Sequence, residues 1–116
     1  MTTFSATPEQ ILAGESLTYG GACTRTCSAT GRTLREGDEV VIHVDRHQSI
    51  DAWGIVGVYD ATNARKVELH GKPDHDEILA TGRLAVASDC ATQEAALILR
   101  DVDVRNHRHV GDSRSE

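Results

Sequence analysis

Apolar and polar positions alternate with period two over three long stretches of the chain. Val40, Ile42 and Val44 alternate with Val41, His43 and Asp45, the pattern of a half-buried β-strand. A second strand is expected from Trp53 to Tyr59, where Gly54 and Gly57 allow a bulge or a close backbone approach. The polar connection between them is about five residues long, a common length for a hairpin, so 39–59 is read as an antiparallel pair. Farther on, Ile78, Ala80, Gly82, Leu84 and Val86 alternate with Leu79, Thr81, Arg83 and Ala85. After a turn at 88–92, Leu97 and Leu99 fall opposite Ile98, Arg100, Val102 and Val104, which gives a second hairpin over 78–104. The segment 91–99 has helix-forming composition. The alternation continues through 101–104, and this favours strand.

The remaining segments are shorter. Thr7 is an N-cap with Gln10 three residues on, Pro8 occupies the first helical position, and Gly14 suits a C-terminal cap, so a short helix is expected over 7–14. Residues 17–19 form a brief strand candidate, and 66–70 another. Residues 23–34 lack apolar periodicity and read as loop with Leu34 as the single anchor. Residues 60–64 read as a turn and 74–77 as a hydrophilic loop. The expected fold is mostly β with a minor α component. It is a small antiparallel sheet or open barrel of two hairpins with one short N-terminal helix. A single globular domain is expected over 1–104 and a disordered tail over 105–116.

Composition sharpens this picture. At 116 residues the chain is one domain, and with aromatics at 3% its core must be built from Val, Ile, Leu and Ala. Eighteen acidic against 12 basic residues give a net charge of −6. Lysine is nearly absent from the basic set, only Lys66 and Lys72, a balance suited to a high-salt cytoplasm. Such charge argues against nucleic acid and leaves a protein as the expected partner. No apolar run is long enough for a membrane helix, and residues 1–8 do not read as a secretory signal. Three cysteines is an odd count. It excludes a complete disulfide framework and favours a reducing, cytoplasmic compartment with thiols that are free or bind metal.

Cys23 and Cys27 are the candidate metal ligands, and zinc is the cofactor they would take. Three residues separate them, within the range of cysteine knuckles. A closed structural site needs four ligands, and the other candidates are His43, His47, His70, His75 and Cys90. His43 and His47 are roughly 13 Å apart if both lie on one strand. The alternative is two thiols without metal, one packed as a small hydrophobe. His107 and His109, or His75 between Asp74 and Asp76, offer weaker metal sites and otherwise read as solvated polar groups. The acidic pairs 38/39, 74/76/77 and 101/103 read as solvated charge. Arg25, Arg32 and Arg35 form a small basic cluster that either contacts a partner or balances nearby acids. No phosphate loop, Gly-x-Ser-x-Gly or His-Glu-x-x-His motif is present.

From Cys27-Ser-Ala-Thr-Gly through Leu34-Arg-Glu-Gly37-Asp38-Glu-Val40, the chain resembles uncharacterised small haloarchaeal proteins with a zinc-ribbon-like cysteine motif. The hairpin at 83–93 is similar to their closing hairpin. The resemblance covers roughly 17–104 and implies a β fold descended from metal-binding relatives. Where those proteins carry a second ligand pair, this chain has Asp60 and Asn63. Asp60 is able to ligate a metal, whereas Asn63 is a poor zinc ligand. Three function classes follow. The first is a cytoplasmic binding or interaction module, with zinc or as a degenerate zinc-binding domain. The second is an accessory protein of a high-salt organism, without a discrete site and dimeric through an exposed sheet edge. The third and least supported is a thiol enzyme using Cys90 or Cys27.

Overall fold

The computed structural model describes residues 8–13, 17, 23–50, 52–63, 67–89 and 94–108. Helix α1 spans Pro8–Leu12. Strands β1 (Thr24–Thr26) and β2 (Thr33–Arg35) form a small antiparallel pair. Strands β3 (Glu39–His47), β4 (Gly54–Asp60), β5 (His75–Asp89) and β6 (Glu94–Arg108) form an antiparallel sheet in the order β4-β3-β5-β6. Both long hairpins expected from the alternation are present. They are joined through β3 and β5 into one open sheet rather than a barrel. Among the described residues no helix is long and apolar enough to cross a membrane.

The two faces of this sheet have different fates. Val40, Ile42 and Val44 lie opposite Gly82, Ala80 and Ile78 and point into the main core. Leu12, Leu34, Leu84, Leu97 and Leu99 complete that core, with Leu17 and Cys27 beside them. One end of this face is closed by Arg46, whose guanidinium lies 4.8 Å over the Trp53 ring and donates to the buried Asp76 carboxylate at 2.8 Å. The opposite face carries Val41, Leu79 and His43, and a second small cluster forms there with Val67, Leu69 and Tyr59 packed on Val41 and Leu79. Val40 to Val44 are therefore all buried, as in a strand covered on both sides.

Four expectations change. Residues 23–34 are not all loop: they contribute β1 and the start of β2, with the turn at 28–30 between them. That turn closes through Cys27 N to Arg32 O and Gly31 N to Cys27 O, and Gly31 supplies the left-handed φ of 78°. Val67 to His70 are not a strand. They cross the sheet without ladder pairing, because their apolar side chains find Val41 and Leu79 below them rather than a neighbouring strand. Residues 74–77 are not a solvated loop. His75 starts β5, whose pairing with β3 runs back to His47, and Asp76 and Glu77 are buried. The strand expected to end at 104 continues to Arg108, because β5 is long enough to pair with it that far. Cys90, His109 and residues 18–22 lie outside the described residues.

Gly82 sits where β5 and β6 slip register, between Thr81 and Arg83. A Cβ built there would lie 2.6 Å from Leu99 Cγ and 3.0 Å from Arg100 O. Leu99 is fully buried and has nowhere to retreat. Gly82→Ala is expected to destabilise the protein by about 1–3 kcal/mol, the usual range for overpacking. Urea denaturation of the variant beside the parent checks this.

Candidate metal centre

Among the described residues, a cluster of three ligating groups lies on the second face of the sheet. His43 comes from the centre of β3, Glu77 from the start of β5, and His70 from the crossing segment. Their candidate ligand atoms all lie within 4.8 Å of one another. On the register, His43 pairs with Leu79 and Asp45 with Glu77, so His43 and Glu77 are diagonal neighbours on one face. The β3–β4 pairing also slips between His43 and Val44. Such bulges re-aim side chains.

His43 is 0% and Glu77 1% exposed, so neither group has water to satisfy it. The Glu77 carboxylate is surrounded by donors. Oε1 accepts from His43 Nε2 at 2.8 Å and from the His70 backbone N–H at 2.7 Å, and Oε2 accepts from Gly71 N–H at 2.7 Å. The Arg108 guanidinium stands 3.6 Å from Oε2. Burial pushes the Glu77 pKa up, but the hydrogen bonds from His70, His43 and Gly71 outweigh it and hold the carboxyl below its usual range. Gly71 has a left-handed φ of 69°, which turns successive N–H groups toward one anion. The His70 ring meets His43 edge-on, with centroids 4.7 Å apart, and is exposed on its outer side.

With Nε2 donating to Glu77, the other ring nitrogen of His43, Nδ1, is buried and has no hydrogen-bond partner. Two nitrogens and one carboxylate oxygen form a donor set suited to zinc and similar divalent ions. Ligand atoms on one tetrahedral zinc lie roughly 3.3 Å apart, so the widest pair here would draw in by roughly 1.5 Å and His43–Glu77 would open by roughly 0.5 Å.

The cysteines singled out from sequence have other surroundings. β1 lies between Cys23 and Cys27, and among the described residues neither belongs to a group of three ligating side chains. Cys27 is 2% exposed, and its sulfur accepts from Asp60 N–H at 3.3 Å. Burial pushes the thiol pKa up. The Thr30 hydroxyl and the backbone N–H groups of Asp60, Ala29 and Thr30 more than compensate, bringing it from 9.0 to about 7. Asp60 is therefore beside Cys27, but its carboxylate is committed elsewhere: to the Arg32 guanidinium and to the N–H and hydroxyl of Thr62. The Thr62 backbone N–H and hydroxyl, ahead of Arg32, hold the Asp60 carboxyl below its usual range. Of the basic cluster, Arg32 balances this acid and Arg25 donates to Leu17 O at 2.8 Å. His47 and His75 face each other across the β3–β5 ladder, with ring centroids 5.1 Å apart, but belong to no three-ligand group among the described residues.

Glu77 is the site residue that sequence reasoning passed over, because its acidic neighbours suggested solvated charge. The signal lay in β3. A histidine inside the apolar run 40–44 is buried on either face and must find a polar partner.

Two outcomes are expected. Glu77→Ala removes the acceptor of His43 Nε2, His70 N and Gly71 N and should cost about 3–5 kcal/mol, the range for a broken buried pair. Glu77→Gln, which keeps one acceptor oxygen, should cost less, and thermal denaturation ranks the two. For Cys27 the thiolate is favoured by folding. Its stabilisation is therefore full above pH 9, declines as pH falls, and is gone below about pH 7. The stability gap between the parent and Cys27→Ser, measured by urea denaturation under reducing conditions, should widen by on the order of 2 kcal/mol across that window.

The sequence matches the family described as Domain of unknown function (DUF8112) over residues 2–109. No curated protein and no solved structure matches it.

Proposed function

The chain belongs to the DUF8112 family, and from the geometry above we propose that it is a small cytoplasmic binding module that holds a divalent transition metal of the zinc class on His43, His70 and Glu77. One observation carries this reading: ligand atoms from three separate segments converge within 4.8 Å. The carboxylate among them is already oriented by backbone donors, the outer-shell support that metal ligands usually have. His70 is exposed, so an ion has a way in, and three protein ligands leave a zinc coordination position open. Zinc thus stays in the reading, with its ligands on the sheet face rather than on Cys23 and Cys27. The net charge of −6 supports a small cation or a protein partner over nucleic acid.

A second reading is favoured by the orphaned His43 Nδ1. In that reading His43 and Glu77 form a purely structural clasp. An ion on Nε2 would move the ring proton to Nδ1, where the structure offers no acceptor, at about 1–3 kcal/mol. The metal reading therefore describes an exchangeable site and not a permanent structural ion.

The two readings part on direct zinc binding. Isothermal titration of metal-stripped protein is expected to give one zinc per chain, and His70→Ala, an exposed substitution that spares the core, should weaken it at least tenfold. Equal zinc affinity in both proteins, or none in either, would leave only the structural clasp.

A further inference from the structure

We infer that the crossing segment, residues 67–72, is a strap that the metal fastens to the sheet, so that ion binding sets how tightly the second face is covered. This rests on the reading of His43, His70 and Glu77 as a metal centre. Two of those residues belong to the sheet, and His70 belongs to the strap. Every bond an ion makes to His70 while held by the other two is therefore a bond between strap and sheet.

Among the described residues the strap is held mainly by polar contacts, including Lys72 Nζ 3.9 Å from Asp45 Oδ2 and His75 N–H donating to Lys72 O at 3.4 Å. It has no strand pairing. Its backbone is tied to Glu77 through the N–H groups of His70 and Gly71, and Lys72 O accepts from Arg108 Nη1 at 2.6 Å. Val67 and Leu69, both half-buried, rest on Val41 and Leu79. Two half-buried apolar side chains and a handful of hydrogen bonds place the strap at the low-stability end of the molecule. Such segments open without global unfolding. A ligand that binds only the closed form suppresses opening by the factor 1 + [L]/Kd, about 100-fold at a hundred times Kd. Opening would uncover Val41 and Leu79, both nearly fully buried with the strap in place. The ion thus regulates access to an apolar patch on an otherwise covered face.

Amide hydrogen exchange of the full chain, followed by NMR with and without zinc at a hundred times its measured Kd, tests this. In metal-free protein the His70 and Gly71 amides should exchange faster than those of Ile42 and Leu84 in the core. Zinc should slow His70 and Gly71 by about 100-fold, and in His70→Ala the Gly71 amide should no longer respond. If calorimetry shows zinc bound while these two amides exchange at unchanged rates, the strap inference falls and the metal centre stands. If zinc does not bind, both fall.

Discussion

A carboxylate removed from water must be compensated where it sits, and in this molecule that requirement organises a whole face of the sheet. Glu77 is buried at the start of β5, and its oxygens accept from one side chain and two backbone amides. Those donors come from β3 and from a segment with no strand pairing of its own. Glu77 therefore gives that segment a fixed place. The apolar contacts of Val67 and Leu69 follow from the same placement, because the backbone is brought down onto Val41 and Leu79. Burying an ionised group is expensive unless several donors converge on it. Loss of any one of them is felt by the others.

The two candidate centres contrast in how their charges are settled. At Cys27 the sulfur is surrounded by hydrogen-bond donors, while the adjacent Asp60 carboxylate is neutralised by Arg32. Cys27 and Asp60 are thus close in space but satisfied by their own neighbours. At Glu77 the nearest guanidinium stands off at 3.6 Å, and the histidine beside it keeps one ring nitrogen unpartnered. Both carboxylates are compensated by converging donors, but only at Glu77 do two histidine rings stand within reach of the same oxygens.

The fold was legible where burial is one-sided. Alternation marked most of β5 and β6, because a half-buried strand writes its two faces into the sequence as period two, whereas β3 reads as half-buried and is in fact covered on both sides. The β1–β2 pair was not legible: Thr24, Arg25 and Thr26 bury little, so they carry no apolar signal. Nor was the start of β5, where His75, Asp76 and Glu77 are strand residues whose burial is met by Arg46, His43 and backbone donors rather than by apolar contact. Polar burial has no period to read, because its logic is the arrival of partners from distant segments. His43 carried the visible half of the site as a histidine within an apolar run. Its partners, 34 and 27 residues farther on, required the register.

The turn at 28–30 has a consequence beyond Cys27. Ser28 N donates to Val58 O, and Val58 N donates to Ser28 Oγ, so the turn occupies polar groups along the outer edge of β4. On the far side, Leu17 N donates to Leu97 O, and Ala13 bridges Leu99 in parallel, at the outer edge of β6. Each lateral border of the sheet is thus partly capped by the chain's own backbone. An open sheet with free borders is a template on which further strands add and aggregates grow. At Val58, Leu97 and Leu99 an incoming strand would have to displace hydrogen bonds that the borders of this sheet already hold.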